Sequence, residues 1–513
     1  MTMPRALRML AKDRETGWTF TLLLCLVYMA FLIWMHAHHE MWRDEIHSWT
    51  LSRLAHGFSE LVSGDRSYEG HPPLWFWYLH IWSWFVQSAW GIQAATIAAA
   101  TAAAVLAVRF APFPRYLKIL LLFSYYFGHE YAVMARNYVL GWFLVCLFCV
   151  LYHPYRTRYV ALAIALGLLS LTSINGLIMS IFLLVFIVLD QVRISHAHTG
   201  SHPAELTLST SPRLLATLVI ASAMILFCVL TIEPPDANPF SPSFNFDALK
   251  PATLPDMLHR ITAGFFPWRK PSVNDFWDGS VIFWENKPTR INYLGGGLLL
   301  FTTLALYPSW RVMTTYFFGI ATLLVFQQVR FGGGTRHWGH FFMLFFAGCW
   351  LVRTQFPRRS RWLSTCLLVG MLALHVKSFV SGTILDTREV FSGGRDTADF
   401  IRREGLQDLP LVAGPDYFVV TVAGYLRRPF IAVETAETNQ TVVFHNRHRR
   451  PFSTNALVNR AVEVSRERKS PVLIVSNQGL PNPPAGATQR LLFTSRPGLV
   501  ADEIFSVYSL QAN

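Results

Sequence analysis

Charge is the commodity this chain is short of. Only 15% of its 513 residues are Asp, Glu, Lys or Arg, against 52% hydrophobic. Whole stretches, such as 18–36 and 291–308, carry almost no charge. A soluble fold of this length interleaves charge at helical or strand period, so the scarcity excludes one, and the long apolar runs read as membrane spans. A disulfide framework is excluded as well. All six cysteines (Cys25, Cys146, Cys149, Cys228, Cys349 and Cys366) fall inside apolar segments, where thiols serve as packing residues. Cys146 and Cys149 mimic a CxxC pair, but within a span they are expected to pack rather than bind metal. There is no internal repeat, and the polar stretch 195–212 is the one low-complexity linker.

Acidic residues are scarcer than basic ones, 31 against 44, leaving a net charge of +13. Such an excess can mark a nucleic-acid partner, yet here Lys and Arg concentrate in short loops between apolar runs, where they orient a membrane protein. No nucleic-acid partner is expected. Arg5, Arg8, Lys12 and Arg14 precede the first apolar run in the manner of a signal peptide. That run is long for a signal and no small-residue cleavage site follows it, so 18–36 is expected to be a retained span with the N-terminus in the cytoplasm.

From that start the positive-inside rule sets the rest. Spans are expected at 18–36, 92–109, 116–129, 138–152, 159–173, 176–190, 213–232, 291–308, 312–329, 338–352 and 362–380, eleven crossings in all. The Trp-rich piece 73–90, with Trp75, Trp77, Trp82, Trp84 and Trp90, has an interfacial composition and is expected to lie wholly or partly peripheral. Were it to cross, the count would be twelve. The fold class is therefore an α-helical polytopic membrane protein. Residues 1–384 form the membrane domain with external loops 37–72 and 233–290, and 385–513 a small extracytoplasmic α/β domain. In the tail, Asp396–Glu404 reads as helix, and Leu409–Ala413 and Val472–Val475 as buried strands.

This topology gathers four polar clusters on the external face: Asp44-Glu45, Glu69-Gly70-His71, His129-Glu130 with Arg136-Asn137-Tyr138, and Arg336-His337. Ionisable groups near spans are costly unless they face water or one another, so convergence on one cavity is the economical explanation. Asp44 and Glu45 open an amphipathic stretch in which Ile46, Leu51, Leu54, Phe58 and Leu61 fall on one arc, as in a helix lying along the interface. Either acid also suits a simple helix N-cap. Glu69 and His71, before Pro72-Pro73 at a helix start, offer two ligands to a divalent metal, or bind phosphate, or anchor the interface. Arg136 either pairs with Glu130 or offers its planar fork to a phosphate. The six-residue separation disfavours the local pair. Gly332-Gly333-Gly334-Thr335-Arg336-His337 is a glycine-rich turn beside a cation, suited to an anion or simply to a tight turn.

The ordered set of Asp44-Glu45, His71-Pro72-Pro73-Leu74 and Ala135-Arg136-Asn137-Tyr138 resembles the polytopic glycosyltransferases of the C superfamily (GT-C), in particular the protein O-mannosyltransferase and aminoarabinose transferase branch. It covers about the first 150 residues by motif and the remaining spans by layout. The resemblance implies a polyprenyl-phosphate sugar as donor, chemistry at the external membrane surface and a soluble C-terminal domain. It implies Asp44 as catalytic base with Glu45 completing the pair, and Arg136 as the arginine of the second external loop. Glu69 stands one residue farther from Pro72 than the acidic residue of the aminoarabinose branch, so a metal is not carried over by analogy.

The expected activity is an inverting hexosyl transfer in the plasma (inner) membrane to a glycan, lipid or protein acceptor. Arg136, Arg336 and His337 would face the donor phosphate, with Glu69, His71, Glu130 and Tyr138 as further site residues. No cofactor is required beyond a divalent metal, should Glu69 and His71 hold one. Two rivals remain open at this level: a transporter or flippase of a lipid-linked saccharide, and a non-catalytic cell-envelope assembly protein. Charges deep in the spans would favour the first. A wide separation of Asp44 from Arg136 would favour the second.

Overall fold

The computed structural model describes residues 16–62, 71–153, 158–195, 205–208, 211–232, 244–267, 276–277, 288–357, 361–442 and 449–512. Glu69, one of the expected site residues, lies outside them.

Each expected span corresponds to helical structure: α1 (Trp18–His38), α4 (Trp90–Phe110), α5 (Arg115–Leu122) with a π-turn (Tyr125–Glu130), α6 (Tyr138–Leu151), α7 (Tyr159–Ser170), α8 (Ile174–Asp190), α9 (Pro212–Thr231), α11 (Pro288–Leu304), α12 (Trp310–Val329), α13 (Thr335–Gln355) and α14 (Trp362–Arg388), while α10 (Leu254–Phe265) falls in the expected loop 233–290. Five of these (α1, α4, α9, α12 and α14) are long and apolar enough to cross a bilayer unaided. A 21-residue helix rises about 31 Å, matching a hydrocarbon core of about 30 Å. Their outward faces are apolar rather than polar: α9 exposes Leu215, Val219, Leu226, Val229 and Leu230, and α1 exposes Leu22, Leu23, Leu26 and Val27. Such faces are stable only against lipid. The chain is a multi-pass membrane protein.

Two departures from the sequence reading matter, whereas the Trp-rich piece is as short as its interfacial composition implies. The Trp-rich piece forms the ten-residue helix α3 (Leu74–Ser83), about 15 Å long and half the length needed to cross. The expected span 116–129 is not continuous. It stops at Leu122, and Ser124 accepts from the Phe127 amide to start the π-turn. π-turns wind one residue wider and re-aim side chains, here His129 and Glu130. The polar stretch after α8 contributes a short antiparallel ribbon, β1 (Val192–Ser195) with β2 (Glu205–Leu208).

The tail is a six-stranded sheet of order β5-β4-β3-β6-β8-β7. Its parallel centre is β4 (Phe430–Ala432), β3 (Leu411–Ala413) and β6 (Val472–Ser476), with β5 (Thr438–Asn439), β8 (Ser506–Ala512) and β7 (Ala487–Thr494) added antiparallel. Strand β6 is buried throughout, as the run Val472-Leu473-Ile474-Val475 requires of a central strand. The helices are α15 (Gly394–Arg403), α16 (Asp416–Leu426) and α17 (Thr454–Arg468).

Helix α2 (Arg43–Leu54) is not the half-exposed amphipathic helix that its apolar arc implies. Residues 45–52 are buried on every side, because α16 of the tail packs against the helix from one side and α3 from the other. The hydroxyls of this helix are satisfied internally. Ser48, Thr50 and Ser52 each donate to the carbonyl four residues back, at 2.7–2.8 Å, which lets this face be buried. At Gly424 of α16 a Cβ would overlap the Ile46 side chain. Gly424→Ala is therefore expected to loosen this docking by about 1–3 kcal/mol, seen as a lowered unfolding temperature and faster proteolysis of the tail. Unchanged stability and protease resistance would mean that the two helices do not meet this closely.

Candidate active site

The π-turn, the start of α2, the start of α6 and the start of α13 converge at one mouth of the helix bundle. The Asp44 carboxylate stands 3.8 Å from the Arg136 guanidinium and 3.6 Å from that of Arg336. Arg136 also donates to the Asp44 carbonyl at 2.7 Å and to the Ser48 hydroxyl at 3.3 Å, so it straddles the first turn of α2. Burial alone would raise the pKa of Asp44. Arg136, Arg336, Arg43 and His71 together outweigh it and hold the carboxyl below its ordinary value. Asp44 keeps about a quarter of its side chain accessible, whereas Glu45 is fully buried.

The two acids thus diverge. Glu45 accepts from the Trp42 amide (3.2 Å), the Ala135 amide (2.5 Å) and His39 Nε2 (3.0 Å), so its carboxylate sits inside the protein rather than beside that of Asp44. It is both the N3 residue of a capping box on α2 and a clasp on the residue preceding Arg136. The capping reading of the pair belongs to Glu45, and the exposed position to Asp44.

Arg336 is held from behind. Its guanidinium lies over the Trp42 and Trp277 rings, 5.1 and 5.2 Å from their centroids, and the two indoles pack at 4.5 Å. Trp277 Nε1 donates to Glu130 at 3.1 Å, and the Tyr125 hydroxyl donates to the other oxygen of the same carboxylate. Glu130 therefore supports Arg336 through an indole and makes no pair with Arg136, as their spacing predicts. Desolvated stacking of this kind fixes a guanidinium without neutralising it.

His337 accepts from the Gly334 amide through Nδ1 at 3.0 Å, which leaves the proton of the neutral ring on Nε2. Gly333 adopts φ 69°, the left-handed conformation that lets the turn close over His337. Tyr138 packs edge-on to His337 at 5.8 Å and to His340 at 5.6 Å. Tyr131 donates to the Arg336 carbonyl at 2.6 Å. His71 is exposed at the start of α3 and near enough to Asp44 to act on its charge. With Glu69 outside the described residues, the metal reading has one ligand left to assess. Among the described residues no three His, Cys, Asp or Glu side chains form a metal-binding group.

The bundle and tail together have known counterparts. No family model matches the sequence, and no curated protein does. Among solved structures, the crystal structure of ArnT from Cupriavidus metallidurans bound to undecaprenyl phosphate aligns over 96% of this chain and 98% of its own, with a TM-score of 0.50 at 13% identity. The chain has the fold of ArnT. The apo crystal structure of ArnT aligns over the same shares at 14% identity and a TM-score of 0.48. The cryo-EM structure of the mycobacterial arabinofuranosyltransferase AftD aligns over 98% of this chain and 40% of its own, at 9% identity and a TM-score of 0.39. At such identities the likeness is one of fold, and the ArnT fold is the polytopic architecture that the sequence motifs resemble.

Trp42, Trp277, His39 and Asp386 are site residues that sequence reasoning missed. Trp277 belongs to no motif of the sequence, and His39 and Asp386 stand 347 residues apart. Neither case leaves a local pattern to find.

Proposed function

We propose that this chain is a membrane glycosyltransferase that moves a sugar from a polyprenyl-phosphate donor to a hydroxyl acceptor on the extracytoplasmic side of the plasma (inner) membrane. The observation that carries the reading is an accessible carboxylate, Asp44, set between two guanidinium groups at a helix-bundle mouth. A base for the acceptor and cations for a departing phosphate are what the reaction needs, and each guanidinium lies within 4 Å of the Asp44 carboxylate. The ArnT fold supports it, since that protein was crystallised with undecaprenyl phosphate bound.

In the proposed step, the acceptor oxygen attacks the anomeric carbon while its proton passes to Asp44. The bond from that carbon to the phosphate oxygen breaks, and the lipid phosphate leaves with the electron pair. A single displacement inverts the anomeric centre. In this reading Arg136, Arg336 and His337 Nε2 bear the leaving charge. A phosphate that draws the guanidinium groups toward itself also relieves Asp44 of their field and makes it a better proton acceptor at the moment it is needed.

The full chain in proteoliposomes, given a synthetic polyprenyl-phosphate hexose and an acceptor mixture, should release free lipid phosphate in step with a new glycoside. Movement of the intact donor across the bilayer without cleavage would instead mark a flippase. One pH dependence follows from the arginines. Because they hold Asp44 below the ordinary carboxylate value, it stays ionised through the mildly acidic range. The acid limb of kcat/KM, which reports the free enzyme, is therefore expected below the usual carboxylate range. A limb near neutrality would assign the base to another group.

A further inference from the structure

Behind the exposed carboxylate runs a buried chain of alternating acids and imidazoles. His39 Nε2 bonds Glu45 at 3.0 Å, and His39 Nδ1 bonds the two oxygens of Asp386 at 2.9 and 3.1 Å. His129 Nε2 reaches the same Asp386 carboxylate at 3.2 Å. All four side chains are fully buried. They come from four segments: the exit of α1, the first turn of α2, the π-turn, and the end of the last membrane helix.

We propose that His39 is a buried imidazolium that acts as the positioning group of this site, setting the separation of Asp44 and Arg136 by bonding Glu45 and Asp386 at once. The geometry carries this. An ionised carboxylate can only accept, so an imidazole with a carboxylate on each nitrogen bonds both only when both nitrogens carry protons. Glu45, gripped by His39, in turn holds the Ala135 amide next to Arg136 and the Trp42 amide two residues before Asp44. Moving His39 therefore moves the base and the phosphate cation relative to each other. Asp386 ties the same clasp to α14, from which the chain enters the tail.

The charge balance agrees. Burial disfavours a charged His39, but Asp386 and Glu45 outweigh it and raise its pKa to about 10. The remaining groups around it are His36 and Glu40 on its own segment, His129 beyond Asp386, the Tyr425 hydroxyl bonded to Met41, and the Phe391 ring packed at 4.6 Å.

The positioning role rests on the glycosyl-transfer reading; the charge state of His39 does not, and the test separates them. In the full chain labelled with 15N-histidine, at least one ring is expected to keep both protons at about pH 8.5, two units above an ordinary histidine. Asp386→Asn should abolish that signal. No doubly protonated ring in the native protein at that pH would overturn the proposal, and this readout needs neither activity nor a folded variant. For the positioning role, Asp386→Asn is expected to lower kcat about tenfold or more and to move the alkaline limb of the rate profile down by about a unit, while Asp386→Glu keeps the limb in place. A lowered kcat with an unmoved limb in Asp386→Asn would make Asp386 a packing residue and overturn the role. If native protein shows the doubly protonated ring but no transfer, it is the functional reading that has failed.

Discussion

Replacing Asp44 by Asn is expected to reduce transfer by about a thousandfold, in line with the 10²–10⁴ that a positioned general base contributes, while leaving the protein inserted and folded. The amide keeps the size of the side chain and one acceptor oxygen toward Arg136 and Arg336, but it takes no proton from the acceptor. Little stability is at stake. The two ion pairs are long, at 3.6 and 3.8 Å, and the carboxylate is partly solvated, a setting in which such pairs are worth about 0–1 kcal/mol. Donor KM should fall or stay level, since losing a negative charge between two guanidinium groups strengthens their pull on a phosphate. That split, kcat down and KM not up, separates a base from a residue that merely organises the arginines, whose loss would raise KM. Asp44→Asn with more than about a tenth of native kcat would sink the assignment. Glu45→Gln makes the contrast. It disturbs the His39 clasp and the Ala135 amide, so its cost should fall on stability as well as on rate.

How far the sequence led follows from which forces act locally. Span positions were legible because lipid exposure writes itself as apolar runs, and α1, α4, α9, α12 and α14 fall where those runs fall. The brevity of α3 was legible too, in a tryptophan density that suits an interface. In the tail, Leu411–Ala413 and Val472–Ser476 became central strands because a strand covered on both faces must be continuously apolar. The meeting of Asp44 with Arg136 was expected from topology, since segments read as lying on one side of a bundle share a surface.

What escaped reading was set by tertiary partners. The amphipathic pattern of α2 suggested a wet face, yet Ser48 and Ser52 bond their own backbone and are buried. A pattern of polar residues does not say whether water or a carbonyl satisfies them. The span at 116–129 was broken by Ser124 acting as a cap, which hydropathy does not register. His39 reads as one of several histidines after an apolar run, and Asp386 as an acid at a span end. Only the fold brings the two side chains within hydrogen-bond distance, 2.9 Å apart.

The two arginines should prove a coupled pair rather than two independent contributors. Arg136→Ala and Arg336→Ala are each expected to lower kcat/KM for donor by about 10²–10³, the loss found when one preorganised stabiliser of developing charge is removed. Their causes differ in detail. Arg336 is pinned by the Trp42 and Trp277 rings and loses mainly charge on truncation. Arg136 also holds the Asp44 carbonyl and Ser48, so its loss loosens the first turn of α2 and should lower kcat further than Arg336→Ala does. Lysine at 136 should rescue little, because a point charge cannot bond the carbonyl, the hydroxyl and a phosphate from one planar fork. If both guanidinium groups meet the same phosphate, the double variant will fall short of the product of the single effects by about tenfold or more, since once one cation is gone the phosphate no longer sits where the other can serve it. A double-mutant cycle on donor cleavage in proteoliposomes measures this directly. Strictly multiplicative losses would place Arg336 away from the donor phosphate and leave it as a counter-charge to Asp44 alone.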